Sequence, residues 1–153
     1  MKILIATYSW SGRTARLADQ IADRLPNADR YLITVPEGTY SATDMYATSD
    51  QATRQLTSGN YPPLVNPLPN LATYDLILVG SPVWSGHPAV PVRVFLSQLD
   101  NFKGALAPFY TDAGSAGNFE AVFVDWAGEH QVLAGQENQV NLDNWINMIT
   151  KAK

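Results

Sequence analysis

Lys2-Ile3-Leu4-Ile5-Ala6-Thr7-Tyr8-Ser9-Trp10-Ser11-Gly12-Arg13-Thr14 is an apolar run that stops in a short loop of hydroxyls and one glycine. It is followed at once by Ala15, Leu17, Ala18, Ile21, Ala22 and Leu25 at helical spacing. The stretch reads as strand, tight loop, helix. The first amides of a helix lack intrahelical partners, and the positive end of the helix dipole lies at the same spot. Ser9 to Thr14 is therefore a candidate anion cradle, with Ser9, Ser11 and Thr14 as donors and Trp10 and Gly12 completing the loop. Arg13 sharpens the reading. A cation in a first helical turn is disfavoured by ~0.3–1 kcal/mol unless an anion neutralises the site. The competing reading is a helix capped by Ser9 or Ser11, with Arg13 in solvent.

Outward from this stretch, strands and helices alternate. Strands are expected over Lys2 to Tyr8, Arg30 to Val35, Asp75 to Gly80, Ala105 to Tyr110 and Gln131 to Ala134. Helices are expected over Thr14 to Leu25, Asp44 to Leu56, Pro91 to Leu99, Asn118 to Trp126 and Leu142 to Thr150. Leu76-Ile77-Leu78-Val79 is an unbroken apolar run of the kind buried on both faces of a parallel sheet. Five βα units imply an α/β domain whose ligands bind beyond the carboxyl ends of the strands. Three loops would open on that edge: Tyr8 to Thr14, Ser81 to Pro88, and Thr111 to Phe119. Trp84 stands between Pro82 and Pro88 beside Gly86, a poor place for a strand residue. It is expected in a turn, folded over something flat.

Composition narrows the function. With 153 residues, 46% hydrophobic and 16% charged, the chain suits one domain over 1–153. No apolar run approaches the ~18 residues of a membrane span, so a soluble, cytoplasmic protein is expected. Cysteine is absent, which removes thiolate nucleophiles and leaves redox chemistry to a bound cofactor. Residues 1–103 balance eight acids against eight bases. Residues 104–150 hold Asp112, Glu120, Asp125, Glu129, Glu137 and Asp143 with no Lys or Arg. Solvated surface positions account for half or more of these acids. An acidic third is still a poor nucleic-acid surface, because phosphates need clustered cations; a basic protein partner suits it better. His87 and His130 lack metal-ligand spacing, and no metal site is expected. Neither GxGxxG nor GxxxxGK[ST] occurs.

Two motifs at matching sheet positions carry a family likeness. Ser9-Trp10-Ser11-Gly12-Arg13-Thr14 resembles the flavodoxin phosphate motif [ST]-x-[ST]-G-x-T. Tyr74-Asp75-Leu76-Ile77-Leu78-Val79-Gly80-Ser81-Pro82-Val83-Trp84-Ser85-Gly86, followed by Pro91-Val92-Arg93-Val94-Phe95-Leu96, resembles the short flavodoxin-like branch over nearly the whole chain. The resemblance implies a three-layer sandwich with a five-stranded parallel sheet of order 2-1-3-4-5 and helices on both faces. It implies FMN, with phosphate held by Ser9 to Thr14. The ring would be bordered by Pro82, Val83, Trp84, Ser85, Gly86 and His87, and closed on its other side by Thr111, Asp112, Ala113, Gly114 and Gly117. Gly86 would be the glycine whose carbonyl meets the reduced flavin. Arg13 departs from the Asn of many relatives, and the third loop lacks the aromatic that often stacks on the ring.

Three functional classes follow. An FMN-dependent electron carrier fits the compact chain and its acidic final third. An NAD(P)H-dependent quinone or flavin oxidoreductase of the same fold fits an open third loop. A non-catalytic binding or regulatory domain would lack flavin. In either redox class the flavin performs the chemistry and the protein binds and tunes it; Asp112 and its acidic neighbours would oppose extra negative charge on the ring.

Overall fold

The computed structural model describes residues 1–151, so residues 152 and 153 of the expected domain lie outside the described residues. Strand β1 (Ile3–Thr7) leads into helix α1 (Arg13–Arg24), followed by β2 (Asp29–Leu32) and α2 (Met45–Ser58). After a short 3-10 turn come β3 (Leu76–Trp84), β4 (His87–Pro88), α3 (Val90–Leu96), β5 (Ala105–Thr111) and α4 (Phe119–Ala127). The chain then closes with β6 (Gln131–Val132), β7 (Gln136–Glu137) and α5 (Leu142–Lys151). The central path β2-β1-β3-β5-β6 is parallel throughout. Once β4 is set aside this is the expected order 2-1-3-4-5. Among the described residues no helix is long and apolar enough to cross a membrane.

The strands alternate between two cores with the period-two geometry of a pleated chain. Leu4, Ala6, Ile77, Val79 and Leu106 face one core with Phe95, Phe119 and Phe123 of α3 and α4. Ile3, Ile5, Leu76, Leu78, Ala107 and Phe109 face the other with Leu17 and Ile21 of α1 and Trp145 and Ile149 of α5. Burial on both faces explains why Leu76 to Val79 is apolar at every position. Gly80 is also dictated by packing, since a Cβ there would overlap the Phe109 ring of the adjacent strand.

Two expectations are corrected. Strand β3 does not stop at Gly80, and Trp84 is not a turn residue; it closes the strand opposite His87 in an antiparallel hairpin. The turn is the dipeptide Ser85-Gly86, with φ of 51° and 80°, the positive pair that a two-residue hairpin turn of type I′ requires. The flanking prolines are tolerated because Pro82 sits at the last rung with β5, opposite Thr111, and Pro88 lies on the short β4 opposite Val83, where few ladder donors are needed. The expected fifth strand Gln131 to Ala134 is split. β6 pairs with Ala105 and Leu106, β7 with Phe109 and Tyr110, and four steps along the edge strand match three along β5. One residue is therefore extruded between them, around Leu133 to Gly135, in the manner of a bulge.

Gly80→Ala is expected to lower the free energy of unfolding by about 1–3 kcal/mol through overpacking against Phe109. A denaturant melt showing an unchanged midpoint would contradict this packing.

Candidate functional site

The carboxyl edge of the sheet gathers the three expected loops. In the first, Gly12 takes a left-handed conformation at φ 94°, and α1 has no side-chain N-cap bond at that position. Ser9 Oγ instead accepts hydrogen bonds from the amides of Gly12 at 3.1 Å and Ala15 at 3.2 Å. The Ser9 side chain thus braces the loop, as the capping reading requires. The amides of Ser11, Arg13 and Thr14 take no partner among the described residues. A Cβ on Gly12 would meet nothing within 4 Å. The loop is both capped and open, a helix N-terminus with free donors facing free space.

Two bonds tie this loop to the third. Arg13 Nη2 donates to the Asp112 carbonyl oxygen at 2.8 Å, so Arg13 does not simply extend into solvent. Buried Thr14 and Thr111 share a hydroxyl–hydroxyl bond at 2.8 Å. Ser11 is exposed and its hydroxyl is free of protein partners. Of the expected donors, Ser9 and Thr14 brace the loop, and the amides together with Ser11 and Arg13 are left for an anion.

Trp84 stands on the second loop with its ring edge-on to Tyr8 at 5.7 Å and to Tyr40 at 5.0 Å. Pro82 and Val83 lie half-buried beneath it, and Ser85 is exposed at the turn. His87 Nδ1 pairs with the Pro88 carbonyl at 2.7 Å, and its ring lies 6.0 Å from Trp126. The third loop meets the hairpin backbone to backbone, because a Cβ on Gly117 would lie 2.8 Å from Gly86 Cα. Only a glycine at position 117 allows that approach, whereas a Cβ at position 86 would be in ordinary contact at 3.6 Å. Ala113 and Gly114 are exposed, with the Gly114 amide donating to Asp112 Oδ1 at 2.8 Å.

Sequence reasoning missed a fourth segment. Trp10 Nε1 donates to the Ser41 carbonyl at 2.8 Å, and Ser49 and Ser85 share a hydroxyl contact at 3.1 Å. The start of α2, capped by Asp44 Oδ1 accepting from the Tyr46 and Ala47 amides, thus forms one wall beside Trp84. A cavity of about 230 Å³ lies between them, lined by Trp10, Met45, Tyr46, Ser49, Trp84 and their neighbours. The signal was present: in a parallel sheet, a helix that follows a strand begins at the carboxyl edge, and Asp44 marks that beginning.

Asp112 carries the electrostatics of the third loop. Its Oδ2 is buried and has no hydrogen-bond partner among the described residues, and the Glu137 carboxyl is the titratable group linked to it. Burial alone would push Asp112 up. Pairing with the Glu137 carboxyl, the Gly114 amide, Asn138 and the charge of Arg13 outweigh it and hold the carboxyl below its ordinary range. Pairing with the Asp112 carboxyl raises Glu137, with burial and the charges of Asp112 and Glu120 adding to the effect. Glu120 in turn accepts from the Tyr110 hydroxyl at 2.5 Å. Burial holds the Tyr8, Tyr40 and Tyr110 hydroxyls protonated. Among the described residues no group of three His, Asp or Glu is placed to hold a metal ion.

With this geometry in hand, comparison with known proteins is direct. Residues 2–149 match the family model described as flavodoxin. A flavoprotein from Lactobacillus acidophilus NCFM, solved in complex with FMN, is 37% identical. It superposes with a TM-score of 0.87 over 95% of this chain and 98% of that one. The apo-form of the flavoprotein from Lactobacillus acidophilus NCFM, also 37% identical, gives 0.75 over 94% and 96%. A flavodoxin from the domain Archaea, 16% identical, gives 0.55 over 95% and 90% and shares the fold. No curated protein matches the chain.

The Asp112–Glu137 pair predicts a pH dependence. A raised folded pKa at Glu137 contributes stability below its ordinary value that is lost as pH rises through the folded value. A lowered one at Asp112 contributes stability at higher pH that is lost as pH falls through its folded value. Glu137→Gln cannot ionise, so its stability is expected to equal wild type in acid and exceed it at neutral pH. Melts across that range test this; a variant less stable at neutral pH would refute the coupling of the two carboxyls.

Proposed function

The chain belongs to the flavodoxin family, and from that premise we propose that it holds FMN at the carboxyl edge of its sheet and passes electrons to a protein partner. The observation that carries this reading is the open start of α1, where the amides of Ser11, Arg13 and Thr14 have no acceptor within reach of the Trp84 hairpin. The residues fit the cofactor. A phosphate monoester suits free amides at a helix N-terminus, with the Ser11 hydroxyl and the Arg13 guanidinium beside them. A planar ring suits the indole of Trp84 and the exposed backbone of Ser85-Gly86 and Ala113-Gly114.

When bound, FMN supplies the electron transfer itself. The protein's part is binding and field. Arg13 holds the third loop through the Asp112 carbonyl, so the phosphate and ring ends of the site are positioned together. Asp112, kept ionised, places negative charge at the ring end, which opposes further negative charge there. Glu137 keeps a proton beside Asp112 to higher pH than an ordinary carboxyl would.

Charge supports a carrier over a nicotinamide-dependent reductase. The cavity beside Trp84 is lined by no cation, and Asp44 and Asp50 flank it on α2. A dinucleotide brings phosphates that need Arg or Lys. Beside the third loop, the exposed carboxyls of Glu120 on α4 and Glu137 on β7 favour a basic protein surface through complementary charge. Neutral quinones suit the cavity better than nicotinamides, and direct quinone reduction is the alternative reading.

Stopped-flow mixing of the FMN-loaded protein with NADPH is expected to leave the oxidised flavin absorbance unchanged over seconds. Rapid bleaching would overturn the carrier reading in favour of a nicotinamide-dependent reductase.

A further inference from the structure

Arg93, on α3, is a cation that the proposed function does not use. Its guanidinium carbon lies 5.2 Å from the ring centroid of Tyr61 and 5.3 Å from that of Trp126. Contact with aromatic faces suits a guanidinium and restrains its orientation, while its N–H donors point outward in the plane of the group. None of those donors has an acceptor among the described residues, and Arg93 forms no ion pair there. The Trp126 indole N–H and the Tyr61 hydroxyl are likewise without partners among the described residues. A half-buried charged donor set without an acceptor is costly unless water or an anion completes it.

All three groups border one cavity of about 400 Å³, whose apolar wall is Pro62, Pro63 and Val94. Asp125 borders it too. We propose that this cavity binds an organic carboxylate, with the carboxylate on Arg93 and the apolar body against the prolines. The charge balance selects the class. One guanidinium and one carboxylate border the cavity, so a singly charged ligand is tolerated where a doubly charged phosphate is repelled. The planar fork of a guanidinium matches the two oxygens of a carboxylate. The volume is in the range of small-molecule sites, with few polar groups and an apolar wall. The site lies on the α3 and α4 side of the sheet and does not depend on FMN being the cofactor.

The test uses benzoate as the probe. It is titrated into the full chain, with and without FMN, while the indole N–H resonances of the four tryptophans are followed by NMR, with Trp126→Phe assigning its peak. The expected result is a saturable shift of the Trp126 resonance alone. Arg93→Gln should weaken it by about tenfold or more, the scale of one charge-assisted hydrogen bond. Arg93→Lys should also weaken it, because an ammonium lacks the planar fork. Asp125→Asn, which removes the flanking negative charge, should strengthen it. Inorganic phosphate should give no saturable shift of the Trp126 resonance. The proposal is overturned if benzoate leaves Trp126 unmoved, which is the outcome for a purely structural stacked arginine. It is equally overturned if the shift survives Arg93→Gln, if phosphate moves the Trp126 resonance as benzoate does, or if Trp10 and Trp84 respond to benzoate in place of Trp126.

Discussion

The parallel pairing of β3 with β1 on one side and β5 on the other is the constraint on which the rest of the structure depends. Because these strands run in one direction and are buried on both faces, their carboxyl ends must share one edge. The chain must then return across the sheet through helices before each new strand. Every loop that follows a strand therefore opens at the same place. The cradle after β1, the hairpin at the end of β3 and the glycine loop after β5 are brought together by topology before any contact between them is made.

Contacts then fix their spacing. Thr14 to Thr111 and Arg13 to the Asp112 carbonyl join the first loop to the third. Trp10 to Ser41 and Ser49 to Ser85 join the first and second loops to the start of α2. Each such bond contributes only about 0.5–1.5 kcal/mol. Their value is geometric, since four segments distant in sequence are held around one opening. The glycine at 117 sets how closely the second and third loops approach, because a side chain on Gly117 would collide with Gly86.

Much of this was legible in the sequence because the physics is local. The apolar run at Leu76 to Val79 reads as a two-sided strand, and a loop of hydroxyls and one glycine before a periodic helix reads as an open helix N-terminus. The rest depended on partners that lie far off in the chain. Trp84 flanked by prolines looks like a turn residue until Ser85-Gly86 is recognised as the turn and the prolines as edge positions. The split of the last strand follows from a register slip against β5 that no single segment encodes. The wall formed by Tyr40, Met45 and Tyr46 was missed because apolar periodicity there is weak; its placement comes from Asp44 capping a helix that begins at the ligand edge. Ser9 shows the opposite case, where the local capping reading is the one the structure shows. Its hydroxyl oxygen caps and braces, and by doing so leaves neighbouring amides free.

The central claim is that the loop from Ser9 to Thr14 grips a phosphate and that the Trp84 hairpin meets the ring joined to it. Titrating the flavin-free protein with FMN and, separately, with riboflavin, while following flavin fluorescence, isolates the phosphate's share. The account predicts that both are quenched by the aromatic site, with FMN bound at least about a hundredfold more tightly, the scale of two charge-assisted hydrogen bonds to free amides and Arg13. Equal affinity for FMN and riboflavin would contradict it.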